Sequence, residues 1–278
     1  MKHSDAEALK STPPSIPGRI AGALTSRHWS LVAIELLLIV AGIMVALSID
    51  DWVQDHENQR TERVYLGLLS RDLDQMAESL QRYIDTESHM AMASSTVIRK
   101  LSDDGYKIEA ELLRGYLSDM GMRRTLQLVS ATYTDLTSTG NLHLIRSQSL
   151  RDQLLRYFAD VSRTQLVIEK NNTAFIDNMY WSFMINAGIT WAPTNWKNMG
   201  PVLNQSQDYF NQFLGPDIAY PNDALFEKPL DAEIWNETRR MCFLRLRVSS
   251  TGLSLSETLM DQTKQLKLAI EEELRNIE

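Results

Sequence analysis

Trp29–Ile49, WSLVAIELLLIVAGIMVALSI, is an apolar run with one charged residue, Glu35, and no proline. About 20 apolar residues in helical form cross a bilayer core. Within hydrocarbon a helix pairs its backbone groups inside the segment. A signal peptide has a shorter apolar core, roughly 7–15 residues, and a small-residue cleavage site. Ala46-Leu47-Ser48 only imitates such a site, so the run reads as a retained transmembrane helix.

Flanking charge sets the expected orientation. Lys2, Lys10, Arg19 and Arg27 precede the run; Asp50, Asp51, Asp55 and Glu57 follow it, and the next basic residue is Arg60. Basic flanks stay on the cytoplasmic side, which predicts a cytoplasmic N-terminus and an outer C-terminal portion. Trp29 and Trp52 bracket the run, where amphipathic rings prefer the interface. Glu35 has two readings: a polar contact between spans or a proton-linked site, or a carboxylate reaching headgroups near Arg27 and His28. Gly42 and Ala46 form a small-xxx-small pair on roughly the same side as Glu35, which suits close helix approach. Glu35, Gly42 and Ala46 are therefore the candidate span–span contacts.

The expected organisation is a flexible cytoplasmic tail (1–28), a transmembrane helix (29–49) and a periplasmic helical domain (50–278). The tail holds three of the eight prolines and is too short for an output domain. About 230 residues follow the span, enough for a real core. The tail takes four of the 28 basic residues and two of the 36 acidic ones, and Glu35 one more, leaving 24 basic against 33 acidic. That balance argues against nucleic acid, whose phosphates demand a basic face. The single cysteine, Cys242, excludes an intrachain disulfide and reads as a small buried side chain.

No proline lies between Pro17 and Pro193, and glycines there stand as punctuation: Gly105, Gly121, Gly140. Proline breaks helix interiors, so the stretch predicts long helices. Leu66, Leu69, Leu73, Met76, Leu80, Tyr83, Met90, Val97 and Leu101 recur by threes and fours, interrupted at Glu87 and Ser94, and predict one helix continuing the span. Running from Ser30 to Leu101 it would be on the order of 100 Å long. The stripe serves either an internal core or a dimer seam. Further helices are expected over Lys107–Met120, Thr125–Thr139, from Ser147 or Ser149 to about Phe183, and over Asp231–Arg247 and Leu253–Ile277. Gly252 is expected to kink or separate the last two, and Gly121 to cap in left-handed geometry. Residues 184–230 read as an irregular insertion, with a short helix at Leu203–Phe213. The fold class is all-α: one N-terminal transmembrane helix continuing into an antiparallel helical bundle with an aromatic-rich insertion.

IELLLIVAGIMVALSIDDWVQDHENQRTERVYLGLLSRDL, with Glu35, Gly42-Ile43, Ala46-Leu47, Ile49, Trp52, Tyr65-Leu66 and Asp72-Leu73, resembles the opening of a family of uncharacterised bacterial single-span proteins known as a domain of unknown function. Leu136-x-Ser138-x-Gly140-Asn141-Leu142-x-Leu144-Ile145, then Leu150-Arg151 and Leu154, resembles a second block, and Leu266–Leu274 its closing helix. The likeness is patchy from Trp181 to Leu230. It implies a topology, a helical outer domain and Glu35 as a family feature; it carries no activity and no functional residues.

Chemical motifs are sparse. His56, His89 and His143 lack ligand spacing such as HExxH, so no metal or cofactor is expected. No G-x-S-x-G elbow, glycine-rich phosphate loop or Walker lysine occurs. The Ser138–Leu142 turn reads as a glycine C-cap. MYWSFMINAGITWAPTNWKNMGP places Trp181, Trp191 and Trp196 close together: either contacts for a partner or ligand, since tryptophan is enriched at hot spots, or rings plugging one end of the helices. The chain is thus expected to be a non-enzymatic, membrane-anchored interaction or scaffold module. Its expected partners are the lipid bilayer, an unidentified protein and a second copy through the span or long helix. The alternative is a periplasmic small-molecule sensor acting through a partner protein.

Overall fold

A computed structural model describes residues 29–103, 105–191, 201–215 and 224–277. Every regular element among them is helical: α1 (Trp29–Leu101), α2 (Ala110–Met120), α3 (Ala131–Ser138), α4 (Gln148–Asn171), α5 (Trp181–Asn186), α6 (Pro201–Leu214) and α7 (Glu233–Asn276). A 3-10 turn (Asn141–Leu144) follows α3, and a π-helical stretch (Asn172–Tyr180) joins α4 to α5. The chain divides into two units, Met1–Arg60 and Thr61–Glu278.

In the first unit the described residues are helical, and α1 is long and apolar enough here to cross a membrane. Its side chains from Val32 to Ile49 are all exposed, Leu37 at 69% and Leu38 at 68%. An all-round apolar helix of this kind has no core-facing stripe. Glu35, Gly42 and Ala46 stand exposed, seven and four residues apart and so on neighbouring turns of one side. Ser48 Oγ donates back to Met44 O at 2.8 Å.

The second unit holds two apolar cores. Leu66, Leu69, Leu73, Met76 and Leu80 of α1 pack with Leu150, Leu154 and Phe158 of α4 and Leu259, Leu266 and Ile270 of α7. Farther along, Ala93 and Val97 pack with Leu113, Leu117 and Met120 of α2, Phe175 and Ile176, and Trp235 and Cys242 of α7. The stripe read from the sequence is buried from Leu66 to Val97, and so are its interruptions, Glu87 and Ser94. Each fully buried leucine contributes about 1.5–3 kcal/mol.

Some boundaries fall where the sequence places them, at Ser147 and Gly140, and others do not. Ser147 caps α4, its Oγ accepting from Leu150 N, and Ser130 caps α3 by accepting from Tyr133 N. Gly140 takes the left-handed conformation at φ 75°. Gly121 does not (φ −77°); a Cβ there would lie 3.4 Å from the Trp181 ring and 3.5 Å from Tyr180, so its smallness serves packing. α7 runs through Gly252 without a break. Residues Met122–Val129 are not helical, although the sequence predicts a helix from Thr125.

Candidate functional site

Between the two cores lies a polar layer. Arg245 of α7 is fully buried and every nitrogen of its guanidinium is used. Nη1 donates to Glu87 Oε2 at 2.8 Å and to Ser249 Oγ at 2.7 Å; Nη2 donates to Glu87 Oε1 at 3.3 Å; Nε donates to Met120 O at 3.1 Å. Beside it, His89 Nε2 lies 2.8 Å from the buried carboxylate of Asp119. A buried ion pair holds only when its remaining hydrogen-bonding capacity is met, and here backbone carbonyls at the end of α2 meet it. Burial pushes the Tyr180 phenol and the Cys242 thiol above their ordinary ranges, so both stay protonated at neutral pH. Tyr180 donates to Leu117 O at 2.7 Å.

From this layer the chain leaves as an extended segment. Burial alternates along it: Leu126, Leu128 and Ser130 are buried while Thr125, Gln127 and Val129 are exposed. A period of two marks extended backbone, and Ser130 has φ −116°, ψ 111°. Long polar side chains from the helices take its carbonyls: Arg245 takes Met122 O, Asn172 takes Arg124 O at 3.4 Å, and Gln165 takes Leu126 O at 3.1 Å. Arg123 reaches across to Asp177 (2.5 Å) and Glu169 (3.1 Å). At the far end Ser130 Oγ donates to Asp72 Oδ2 at 2.7 Å, and Thr132 N donates to the same oxygen at 3.0 Å.

Beside the Ser130 end a groove of about 390 Å³ opens between this segment, the first turn of α3 and α4. Tyr133 and Phe158, stacked at 3.8 Å, are among its lining, with Ala159 and Ser162. Val129 (72% exposed) and Leu155 (45%) also line it. Pockets that hold small ligands start near 300 Å³.

The sequence-selected tryptophans fall elsewhere. Trp181 and Trp191 meet with ring centroids 6.2 Å apart. Trp181 packs on the second core, and Trp191 packs on Met90 and Met122 while its Nε1 donates to Ser118 O at 3.2 Å. Both rings are thus half-buried beside the polar layer. Trp196 lies outside the described residues. Glu35, Gly42 and Ala46 belong to the first unit and are not part of this site. The periodicity reading missed the groove, although LQLV (126–129) carries its signal: a short apolar alternation fits a strand as well as a helix.

Among the described residues no group of three His, Cys, Asp or Glu side chains is placed to hold a metal ion. No family model matches the chain, no curated protein matches it, and no solved structure matches it.

Proposed function

We propose that the chain is a bacterial inner-membrane protein, anchored by Trp29–Ile49 with residues 1–28 in the cytoplasm, whose periplasmic residues 50–278 form an antiparallel helical bundle that serves as a non-enzymatic interaction module. The groove beside Leu128–Ser130 carries this reading. It is an open concavity of mixed polar and apolar lining, bordered by exposed Val129 and Leu155, on a unit whose buried Arg245 is bonded to Glu87 and to backbone. Exposed apolar side chains gathered at a concavity mark binding surfaces. The basic flank before the span and acidic flank after it support the orientation, and the likeness of residues 34–73 to single-span proteins supports the anchor. Glu35, Gly42 and Ala46 on one side of the span supply a surface for a second copy.

Two measurements test the proposal. An alkaline phosphatase fusion after Thr61 is active if the outer portion is periplasmic; an inactive fusion overturns the orientation. Photocrosslinking in cells from Val129 and Leu155 gives a discrete heteromeric adduct if the groove binds a protein; no adduct overturns the module. The groove volume also suits a small molecule, the sensor reading. That reading predicts a metabolite bound to the purified protein and released on Leu155→Asp.

A further inference from the structure

Among the described residues, the extended segment leaves one of its edges open. No backbone N–H from Arg123 to Val129 has an acceptor among the described residues, whereas Met122 N donates to Asp119 O (2.8 Å) and Tyr133 N to Ser130 Oγ (3.0 Å) on either side. The carbonyls of Met122, Arg124 and Leu126 turn towards Arg245, Asn172 and Gln165. In extended backbone the N–H and C=O of one residue share a direction and those of the next point the opposite way. The carbonyls and amides of Arg123, Thr125, Gln127 and Val129 therefore point away from those helices, as the repeating donor and acceptor row of a strand edge. A lone extended segment with one such row is a template for a second strand, and the groove, with the Tyr133 and Phe158 rings in its lining, stands at its Ser130 end.

We infer that an extended peptide segment of a partner protein adds as a strand along Arg123–Val129 and places an apolar side chain in the groove beside Tyr133 and Phe158. Backbone pairing supplies most of the affinity in this mode and the pocket supplies the selectivity. The odd-numbered edge offers a donor and an acceptor at each of four residues, and a partner segment of alternating apolar residues without proline matches it. This inference rests on the interaction-module reading and names the chemistry of its partner.

The test uses the full-length protein in detergent micelles and a phage-displayed library of random peptides. Binding is compared with Thr125→Pro/Gln127→Pro, which deletes two outward N–H groups that have no acceptor among the described residues, and with Val129→Asp at an exposed position. Peptides enriched on the native protein are expected to alternate in apolar character, to bind each variant about tenfold or more weakly, and to slow amide exchange at Thr125, Gln127 and Val129. Val129→Asp lies on the surface and keeps the test valid if the proline pair lowers the melting midpoint. Peptides that bind both variants equally, protection confined to other amides, or no enrichment overturns the inference. Dimers of the chain that dissolve on the same substitutions also overturn it, since the occupant is then a second copy. A protein adduct from the groove that survives Thr125→Pro/Gln127→Pro leaves the interaction module standing and sinks only the strand edge.

Discussion

Arg245 and Glu87 face each other through two hydrogen bonds, at 2.8 and 3.3 Å, with both side chains wholly removed from solvent. The same guanidinium also holds Met120 O, and so ties α1, the end of α2 and α7 at one point. Removing one partner of a buried pair leaves an uncompensated charge, at a cost of about 3–5 kcal/mol. Arg245→Met is expected to lose stability in that range by urea denaturation of the full-length protein. Glu87→Met/Arg245→Met is expected to recover part of the loss but not all, because Met120 O keeps no donor. A double variant as unstable as the single one would show that the pair's charges are not what the single substitution exposes.

Gly252 lies in the middle of α7, where alanine ordinarily stabilises by roughly 0.5–1 kcal/mol. Here a Cβ would stand 2.7 Å from the Tyr83 hydroxyl, and Tyr83 is 2% exposed and packed in the first core. Gly252→Ala is expected to destabilise by about 1–3 kcal/mol through overpacking. Tyr83→Phe removes the obstructing oxygen, so Tyr83→Phe/Gly252→Ala is expected to be more stable than Gly252→Ala alone. Equal melting midpoints for these two would mean that the hydroxyl is not the obstacle.

These two contacts show where a sequence reading stops. The α1 stripe is visible as spacing, and so is its interruption at Glu87. The answering residue stands 158 positions away, and nothing local to either end announces it. Gly252 suggests a kink because glycine usually marks one, but the backbone stays helical and the missing Cβ makes room for Tyr83. Thr125–Ser130 has helix-compatible composition, yet Gln165 of α4 captures the Leu126 carbonyl, Asn172 of the π-helical extension captures that of Arg124 just before it, and Leu126 and Leu128 fill the first core. Tertiary partners outweigh a weak local propensity there. Trp181 and Trp191 are legible as unusual, but their placement against Gly121 and Met122 depends on elements brought in from both sides.

Tyr157 gives a pH dependence with a definite sign. Its phenol is buried against α7, with its oxygen 2.7 Å from Thr263 Oγ1. Burial pushes it up to about 12, against a smaller opposing pull from that hydrogen bond. A phenol in the unfolded chain titrates near 10. The folded state therefore keeps this proton longer than the unfolded chain, and the associated stability is whole below pH about 10 and is lost as pH climbs to about 12. The loss amounts to about 2 kcal/mol. Tyr157→Phe is expected to flatten that part of the alkaline stability curve and to remove one late step from the ultraviolet phenolate titration. An unchanged curve would place the alkaline loss on other groups.

Hydrogen exchange tests the extended segment before any partner is known. Amides bonded within helices exchange only on local or global opening, whereas an amide facing water exchanges at nearly its intrinsic rate. The seven amides from Arg123 to Val129 lack an acceptor among the described residues, although Leu126 and Leu128 are buried side chains. Buried side chains with unprotected amides set an open strand edge apart from a frayed loop, where both would be free. Fast exchange is therefore expected at Arg123, Thr125, Gln127 and Val129, whose amides face outward, with slow exchange at Met122 and Tyr133 on either side. The fluorescence of a reporter on Leu128→Cys, attached only after urea, should confirm that this side chain is shielded in the native protein. Protection of about a thousandfold at Thr125 or Gln127 in the free protein would mean that the edge is already occupied, by another part of the chain or by a second copy.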